Sequence, residues 1–126
     1  MFRNTFAEIK LDAIRHNLQI LNQKFSNYEY CFAVVKADCY GHGLQAIQPM
    51  LDAGCNYLAV ATLDEALEVR KLHSETPILC LGIIPYSGLG TAKQNNIIIK
   101  TNFLTCYVNH NRVHTHRQNL AEFIMN

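Results

Sequence analysis

The sequence lacks the features that mark several large classes of protein. It contains no tryptophan, and its 126 residues carry 11 basic against 10 acidic side chains, a net charge of +1. This even balance supplies no electric field that could hold nucleic acid or an anionic membrane, and we expect neither partner. The longest apolar stretches, such as residues 31–35 and 78–84, are far shorter than the roughly 18 residues that a membrane-spanning helix requires.

A secretory signal and a disulfide framework are also missing. Glu8 and Lys10 lie where a signal peptide would have an unbroken apolar core. The cysteines, at positions 31, 39, 55, 80 and 106, are odd in number and form no CxxC pair or other metal-like spacing. We therefore predict free, buried thiols rather than metal ligands, and a cytoplasmic location.

The chain does contain a regular alternation of short apolar runs and amphipathic segments. The pattern predicts strands over residues 6–11, 30–35, 57–60, 78–82 and 97–99, separated by helices over residues 12–25, 44–51, 62–72 and 87–93. The strand over 30–35 is continuously apolar, as is typical of a strand buried on both faces. Strands that alternate with helices of about ten residues indicate a parallel sheet, so the predicted fold class is α/β.

The helix boundaries and solvent-facing positions follow from the same pattern. Asp12 and Ser87 are expected to cap the first and last helices, and Thr62 with Glu65 has the Thr-x-x-Glu spacing of a capping box. The helical spacing places these polar residues of the first helix toward solvent: Arg15, His16, Gln19 and Asn22.

The strongest candidate for chemistry is Lys36, which directly follows the strand predicted over residues 30–35. The carboxyl ends of parallel strands are where α/β folds place catalytic groups. An amine partly removed from water is more readily deprotonated, and the free amine can attack a carbonyl to form a Schiff base. A lysine at a strand end can also be a simple solvated terminator, and position alone does not separate these interpretations.

The residues that follow favour the functional interpretation. Tyr40 offers a phenol donor, and Gly41 and Gly43 allow the backbone to approach a ligand just before a helix, where a phosphate fits. The segment Tyr-Gly-His-Gly alone would indicate only a turn. Together with Lys36, it suits a ligand that carries both an aldehyde and a phosphate.

Several segments resemble one known family. Residues 33–43, AVVKADCYGHG, closely resemble the pyridoxal phosphate attachment motif of bacterial alanine racemases, with Cys39 where such motifs often have alanine. Residues 7–17, AEIKLDAIRHN, resemble the opening of that family, and residues 60–66 with residues 77–79 resemble its next two barrel strands. The resemblance implies the N-terminal portion, about half, of an eight-stranded parallel β/α barrel over residues 1–99.

The resemblance also implies roles for two residues. Lys36 would hold pyridoxal 5'-phosphate as an internal aldimine and then act as one of two bases, and Tyr40 would bind the cofactor phosphate. The reaction would interconvert L-alanine and D-alanine for peptidoglycan precursors, in a homodimer. The opposing base, a tyrosine of the partner subunit, has no matching position in these residues, so the activity of this chain alone is open. A non-catalytic pyridoxal phosphate binding protein, an inactive remnant and a preference for serine remain alternatives.

The last residues differ in amino-acid composition from the rest of the chain. All six glycines and all three prolines precede residue 91, whereas residues 100–126 are rich in asparagine and histidine. We hypothesise that the reading frame was lost near residue 100 and that residues 100–126 form a divergent tail. The alternative is a metal site formed by His110, His114 and His116 with Cys106.

Four other residues could reach a ligand, although each has a simpler interpretation. His42 could be a turn histidine packed against its own helix, and Tyr86 could cover the barrel rim as a loop aromatic. Arg70 and Lys71 are most simply the solvated side of the helix that follows Thr62.

Overall fold

Four short strands form one parallel sheet in the order in which they occur along the chain. The computed structural model describes residues 5–100. Its strands are β1 (Phe32–Val34), β2 (Tyr57–Val60), β3 (Ile78–Cys80) and β4 (Ile97–Ile99). In one row across the sheet, Ala33 lies opposite Leu58, Leu58 opposite Ile78, and Ile78 opposite Ile97.

One helix precedes β1 and three helices connect successive strands, and all four pack on one side of the sheet. They are α1 (Leu11–Lys24), α2 (Ile47–Asp52), α3 (Leu63–Leu72) and α4 (Leu89–Gln94), with 3-10 turns at Leu44–Ala46 and Tyr86–Gly88. The capping box predicted at α3 is confirmed, because the Thr62 side chain accepts the Glu65 N–H while the Glu65 side chain accepts the Thr62 N–H. Among the helices of residues 5–100, none is long and apolar enough to cross a bilayer.

The hydrophobic core lies between the helices and one face of the sheet. Successive residues of a strand point to opposite faces, so alternate positions share an environment. The residues on the helix side are almost completely buried; they are Ala33, Val35, Leu58, Val60, Ile78, Cys80 and Ile97. Burial of these apolar side chains stabilises the arrangement of the sheet against its helices.

The second face of the sheet is only partly covered within residues 5–100. Phe32 and Tyr57 pack together there at a ring separation of 4.8 Å, but Val34 is 40% exposed. The prediction that β1 is buried on both faces is therefore wrong for the described residues. This face would line the interior if further strands closed a barrel, and four strands alone do not enclose it.

The N-terminal segment departs from the sequence prediction. Residues 5–10 form no strand, and α1 begins at Leu11, so Lys10 is its N-cap and Asp12 lies inside its first turn. An extended segment needs a neighbouring strand for its backbone N–H and C=O groups, and none of the described strands lies beside it. Asp12 still interacts favourably with the amino end of the helix through its negative charge.

Two polar predictions on the helices are also wrong. Ser87 lies inside the 3-10 turn rather than at a cap, and the N-cap of α4 is Gly88. Asn22 does not face solvent: its amide donates to the Ala53 carbonyl, with a nitrogen to oxygen distance of 2.6 Å. This contact joins α1 to the end of α2, which explains why a polar residue occupies the inner side of α1.

The cysteines of the described residues are free, as predicted. Cys39, Cys55 and Cys80 are buried and Cys31 is half-buried, whereas Cys106 lies outside the described residues. Burial, with the nearby charge of Asp38, raises the pKa of Cys39 to about 11. Such a thiol is neutral at physiological pH and packs as a small apolar side chain.

Candidate active site

Lys36 lies at the carboxyl end of β1, as the sequence predicted. The preceding residue, Val35, is buried and its N–H donates to the Ala59 carbonyl at 2.8 Å, so the ladder between β1 and β2 holds the backbone up to that point. Lys36 itself is half-buried. β1 ends at Val34 and Val35 has ψ 19°, so the backbone leaves the extended conformation directly before Lys36.

A left-handed turn, Lys36–Gly41, carries this lysine. Ala37, Asp38, Cys39 and Tyr40 have φ between 51° and 55°, and Gly41 has φ 82°. Glycine adopts this region readily, but a residue with a side chain costs about 1–2 kcal/mol there. Four such residues in succession persist only if contacts with the rest of the protein stabilise the turn.

Part of that stabilisation comes from the turn itself and from the core. The Cys39 side chain is 2% exposed and belongs to the hydrophobic core. Its N–H donates to the Val35 carbonyl at 3.1 Å, and the Gly43 N–H donates to the Asp38 carbonyl at 2.9 Å. His42 closes the turn, because its Nδ1 lies 2.8 Å from the Cys39 carbonyl oxygen.

The Glu65 carboxylate supplies a further contact that links the turn to β2. One carboxylate oxygen accepts the N–H of Ala37 at 2.9 Å, and the other accepts those of Ala61 at 2.7 Å and Thr62 at 3.3 Å. Partial burial raises the pKa of Glu65, but these hydrogen bonds and the charge of Lys36 lower it, and the net result is a pKa below its ordinary value. The carboxylate is therefore ionised at neutral pH.

Tyr40 lies beside Lys36, as the sequence pattern suggested. The Lys36 Nζ is 5.9 Å from the centroid of the Tyr40 ring, and Tyr40 is 60% exposed. The ion pairs formed within residues 5–100 join Arg15 to Asp12 and Lys71 to Glu68, so none of them occupies the Lys36 amine. An amine and an exposed phenol thus stand together at one end of the sheet.

Of the other candidates, His42 lies in a turn, and the contact of its ring is with the Cys39 carbonyl of that turn. Tyr86 is 79% exposed. The interpretation of Arg70 as a solvated side chain is wrong. Its guanidinium is half-buried and donates to five backbone carbonyls, those of His73, Ser74, Thr76, Asn95 and Asn96. These carbonyls lie at the amino ends of β3 and β4, opposite to Lys36. The histidines proposed as metal ligands lie outside the described residues.

Two contributors to the site, Glu65 and Gly82, were not identified as such from the sequence. The spacing of Thr62 and Glu65 identified Glu65 as a helix cap, but nothing in it indicated the contact with Ala37. Gly82 follows β3, and a Cβ at that position would overlap the Ala61 carbonyl oxygen. The absence of a side chain at Gly82 therefore allows the carboxyl ends of β2 and β3 to approach closely.

Comparison with known proteins agrees with this geometry. The family model described as the N-terminal domain of alanine racemase matches residues 9–105. Alanine racemase 2 of Oceanobacillus iheyensis is 42% identical over 99 residues, which are 78% of this chain and 25% of that protein. The chain thus spans about a quarter of the length of the curated relatives that it matches.

Solved structures give the same result. The alanine racemase of Bacillus anthracis with bound L-Ala-P has a TM-score of 0.75 at 36% identity, covering 80% of this chain and 26% of that one. The alanine racemase of Bartonella henselae, described with covalently bound pyridoxal phosphate, has a TM-score of 0.66 at 31% identity. The match covers 72% of this chain and 27% of that one. The predicted fold, the N-terminal part of a parallel α/β barrel, is confirmed.

Proposed function

Because this chain belongs to the alanine racemase family through its N-terminal domain, we propose that Lys36 is the covalent attachment point for pyridoxal 5'-phosphate in an amino-acid racemase. The observation that carries the proposal is the placement of the Lys36 amine. It stands at the carboxyl end of β1, beside a phenol, and takes part in no ion pair within residues 5–100. The Bartonella henselae relative, which is described with covalently bound pyridoxal phosphate, supports the choice of cofactor.

The residues of the site suit this cofactor chemically. A primary amine can attack the aldehyde of pyridoxal phosphate, and a phenol can donate a hydrogen bond to its phosphate. When bound, the cofactor withdraws electrons from the substrate Cα and so makes its proton easier to remove. We propose that Lys36 moves that proton at one face of the Cα and that Tyr40 holds the phosphate.

The remaining features of the function are inferred from the family. Inversion at Cα requires a second base on the opposite face of the substrate. We propose that this base comes from the region that corresponds to the three quarters of the relatives' length that this chain does not cover. The substrate would be alanine, the product D-alanine would supply peptidoglycan synthesis in the cytoplasm, and the whole enzyme would be a homodimer. We retain the division into a barrel portion, 1–99, and a divergent tail, 100–126, as a proposal.

A second candidate is a protein that binds pyridoxal phosphate without catalysing racemisation. It is favoured by the site residues within 5–100, where Lys36, Tyr40 and Glu65 supply one amine, and by the exposure of Val34 on the second face of the sheet. The two candidates differ in one measurable respect, since only the racemase converts L-alanine to D-alanine.

The test is to add pyridoxal 5'-phosphate to the purified 126-residue chain, reduce with borohydride and locate the label by peptide mass spectrometry. We expect one equivalent of label on Lys36. The other lysines, at positions 10, 24, 71, 93 and 100, are internal controls. Label spread over several of them, or none at all, would refute the assignment. An assay for D-alanine on the same sample separates the racemase from the binding protein.

Replacement of Tyr40 by phenylalanine is expected to weaken cofactor binding. The change removes the hydroxyl proposed to bind the phosphate and keeps the ring beside Lys36, so the dissociation constant should rise about five- to tenfold, or about 1 kcal/mol. The dissociation constant is measured by titration with pyridoxal 5'-phosphate. Tyr86→Phe is the matched control, because Tyr86 is 79% exposed and lies after β3. An equal effect in both variants would contradict the role of Tyr40.

A further inference from the structure

We propose that Glu65 is the positioning residue of this site: its carboxylate holds the left-handed turn in the conformation that presents the Lys36 amine. The inference rests on the proposed role of Lys36. Glu65 lies at the start of α3, where a capping residue is expected, yet it also contacts a different part of the chain.

The two carboxylate oxygens divide their partners between two strands. Oε1 accepts the N–H of Ala37, the residue directly after Lys36, at 2.9 Å. Oε2 accepts the N–H groups of Ala61 and Thr62, directly after β2. One ionised side chain therefore joins the carboxyl ends of β1 and β2 at the peptide that adjoins Lys36.

This contact matters because the turn is not a conformation that its own sequence favours. Ala37 is the first of the four side-chain-bearing residues with positive φ, so its N–H lies at the start of the left-handed segment. Cys39 anchors the middle of the turn in the core, but Glu65 accepts the N–H at its beginning. Without that acceptor, the first peptide of the turn can rotate and carry Lys36 away from Tyr40.

The capping role and the positioning role can be separated by two substitutions. Glutamine has only one acceptor oxygen. If that oxygen faces Ala61 and Thr62, it accepts two N–H groups, whereas if it faces Ala37, it accepts only one. Glu65→Gln should therefore keep the cap and turn its amide group toward the Ala37 N–H, with no hydrogen bond between them. Thr62→Ala weakens the cap but keeps the contact with Ala37. It removes the hydroxyl that accepts the Glu65 N–H at 3.2 Å and leaves the carboxylate in place.

The experiment measures, on the 126-residue chain, amide hydrogen exchange at Ala37 and the rate at which pyridoxal 5'-phosphate labels Lys36. Glu65→Gln should speed exchange at Ala37 and slow the labelling of Lys36, each by about tenfold or more, as expected when a hydrogen bond to a charged group is lost. Thr62→Ala should change both by less than about twofold after correction for the unfolded fraction, although it lowers helix stability.

The outcomes distinguish this proposal from the proposed function. If Glu65→Gln matches the wild type, or if the labelling rate in both variants simply follows their stability, the positioning role is overturned. If Lys36 is not labelled selectively even in the wild type, the proposed function fails, and exchange at Ala37 still decides whether Glu65 holds the turn. Should Glu65→Gln not fold, Glu65→Asp replaces it, because it keeps the charge and the backbone N–H that donates to the Thr62 hydroxyl but shortens the reach of the carboxylate toward Ala37.

Discussion

Replacement of Lys36 by alanine is expected to abolish the covalent adduct with pyridoxal 5'-phosphate. The amine of this residue is the proposed nucleophile, and the residues beside it, Tyr40 and Glu65, offer no substitute amine. The fold should survive, because Lys36 is half-buried and forms no ion pair within residues 5–100. Borohydride trapping followed by intact mass measurement should therefore show loss of the stoichiometric label from a protein with an unchanged circular dichroism spectrum.

A second variant, Lys36→Arg, separates nucleophilic chemistry from charge. Arginine keeps a cation near Glu65 and can stack on the Tyr40 ring, but its guanidinium remains protonated and does not attack an aldehyde. We expect it to lose the adduct as completely as alanine does, while it retains any weak non-covalent binding of the phosphate. A stoichiometric adduct in either variant would place the reactive amine elsewhere and would refute the assignment of Lys36.

The features that could be predicted from the sequence are those that depend on local pattern. The apolar runs around Leu58, Ile78 and Ile97 form strands of the sheet, and the Thr62 to Glu65 spacing forms a capping box. Lys36 could be placed at a strand end because buried apolar residues precede it. Each of these signals lies within a few residues of the feature that it predicts.

The features that could not be predicted depend on contacts distant in the sequence. Among the residues from Ala37 to Tyr40, only Asp38 is of a type that is enriched in the left-handed region, and the turn is stabilised by the core and by Glu65, 28 residues away from Ala37. Phe6 has an alternating pattern around it but no described strand to pair with, and it is 83% exposed. Helical periodicity likewise assigned Arg70 to solvent, because it cannot reveal that two loops approach that side chain.

The two ends of the sheet therefore carry different groups of interacting residues. The carboxyl ends of β1 and β2 hold the amine, the phenol and the carboxylate that serve the proposed chemistry. The amino ends of β3 and β4 carry the Arg70 guanidinium and its five carbonyl partners. In barrel proteins, the first end is associated with activity and the second with stability. Substitutions at the two ends should affect separate measurements.

Replacement of Arg70 by alanine is accordingly expected to destabilise the protein strongly without altering the site. Nε and Nη2 donate to Asn95 and Asn96 at 3.0 Å, and Nη1 donates to the loop between α3 and β3 at 2.8 Å. Loss of these charge-assisted bonds should lower the free energy of unfolding by on the order of 3 kcal/mol, measured by urea denaturation. That is a large share of the roughly 5–15 kcal/mol typical of a folded protein.

Two further substitutions show whether geometry or charge is responsible. Lys71→Ala, on the same helix, removes an exposed ion pair with Glu68 and should change the free energy of unfolding by less than about 1 kcal/mol. Arg70→Lys keeps the charge, but one nitrogen cannot serve both loops, so it should recover only a minority of the lost stability. Labelling of Lys36 in the folded fraction of Arg70→Ala should match the wild type. A stability loss no greater than that of Lys71→Ala would show that the five carbonyl contacts contribute little to the fold.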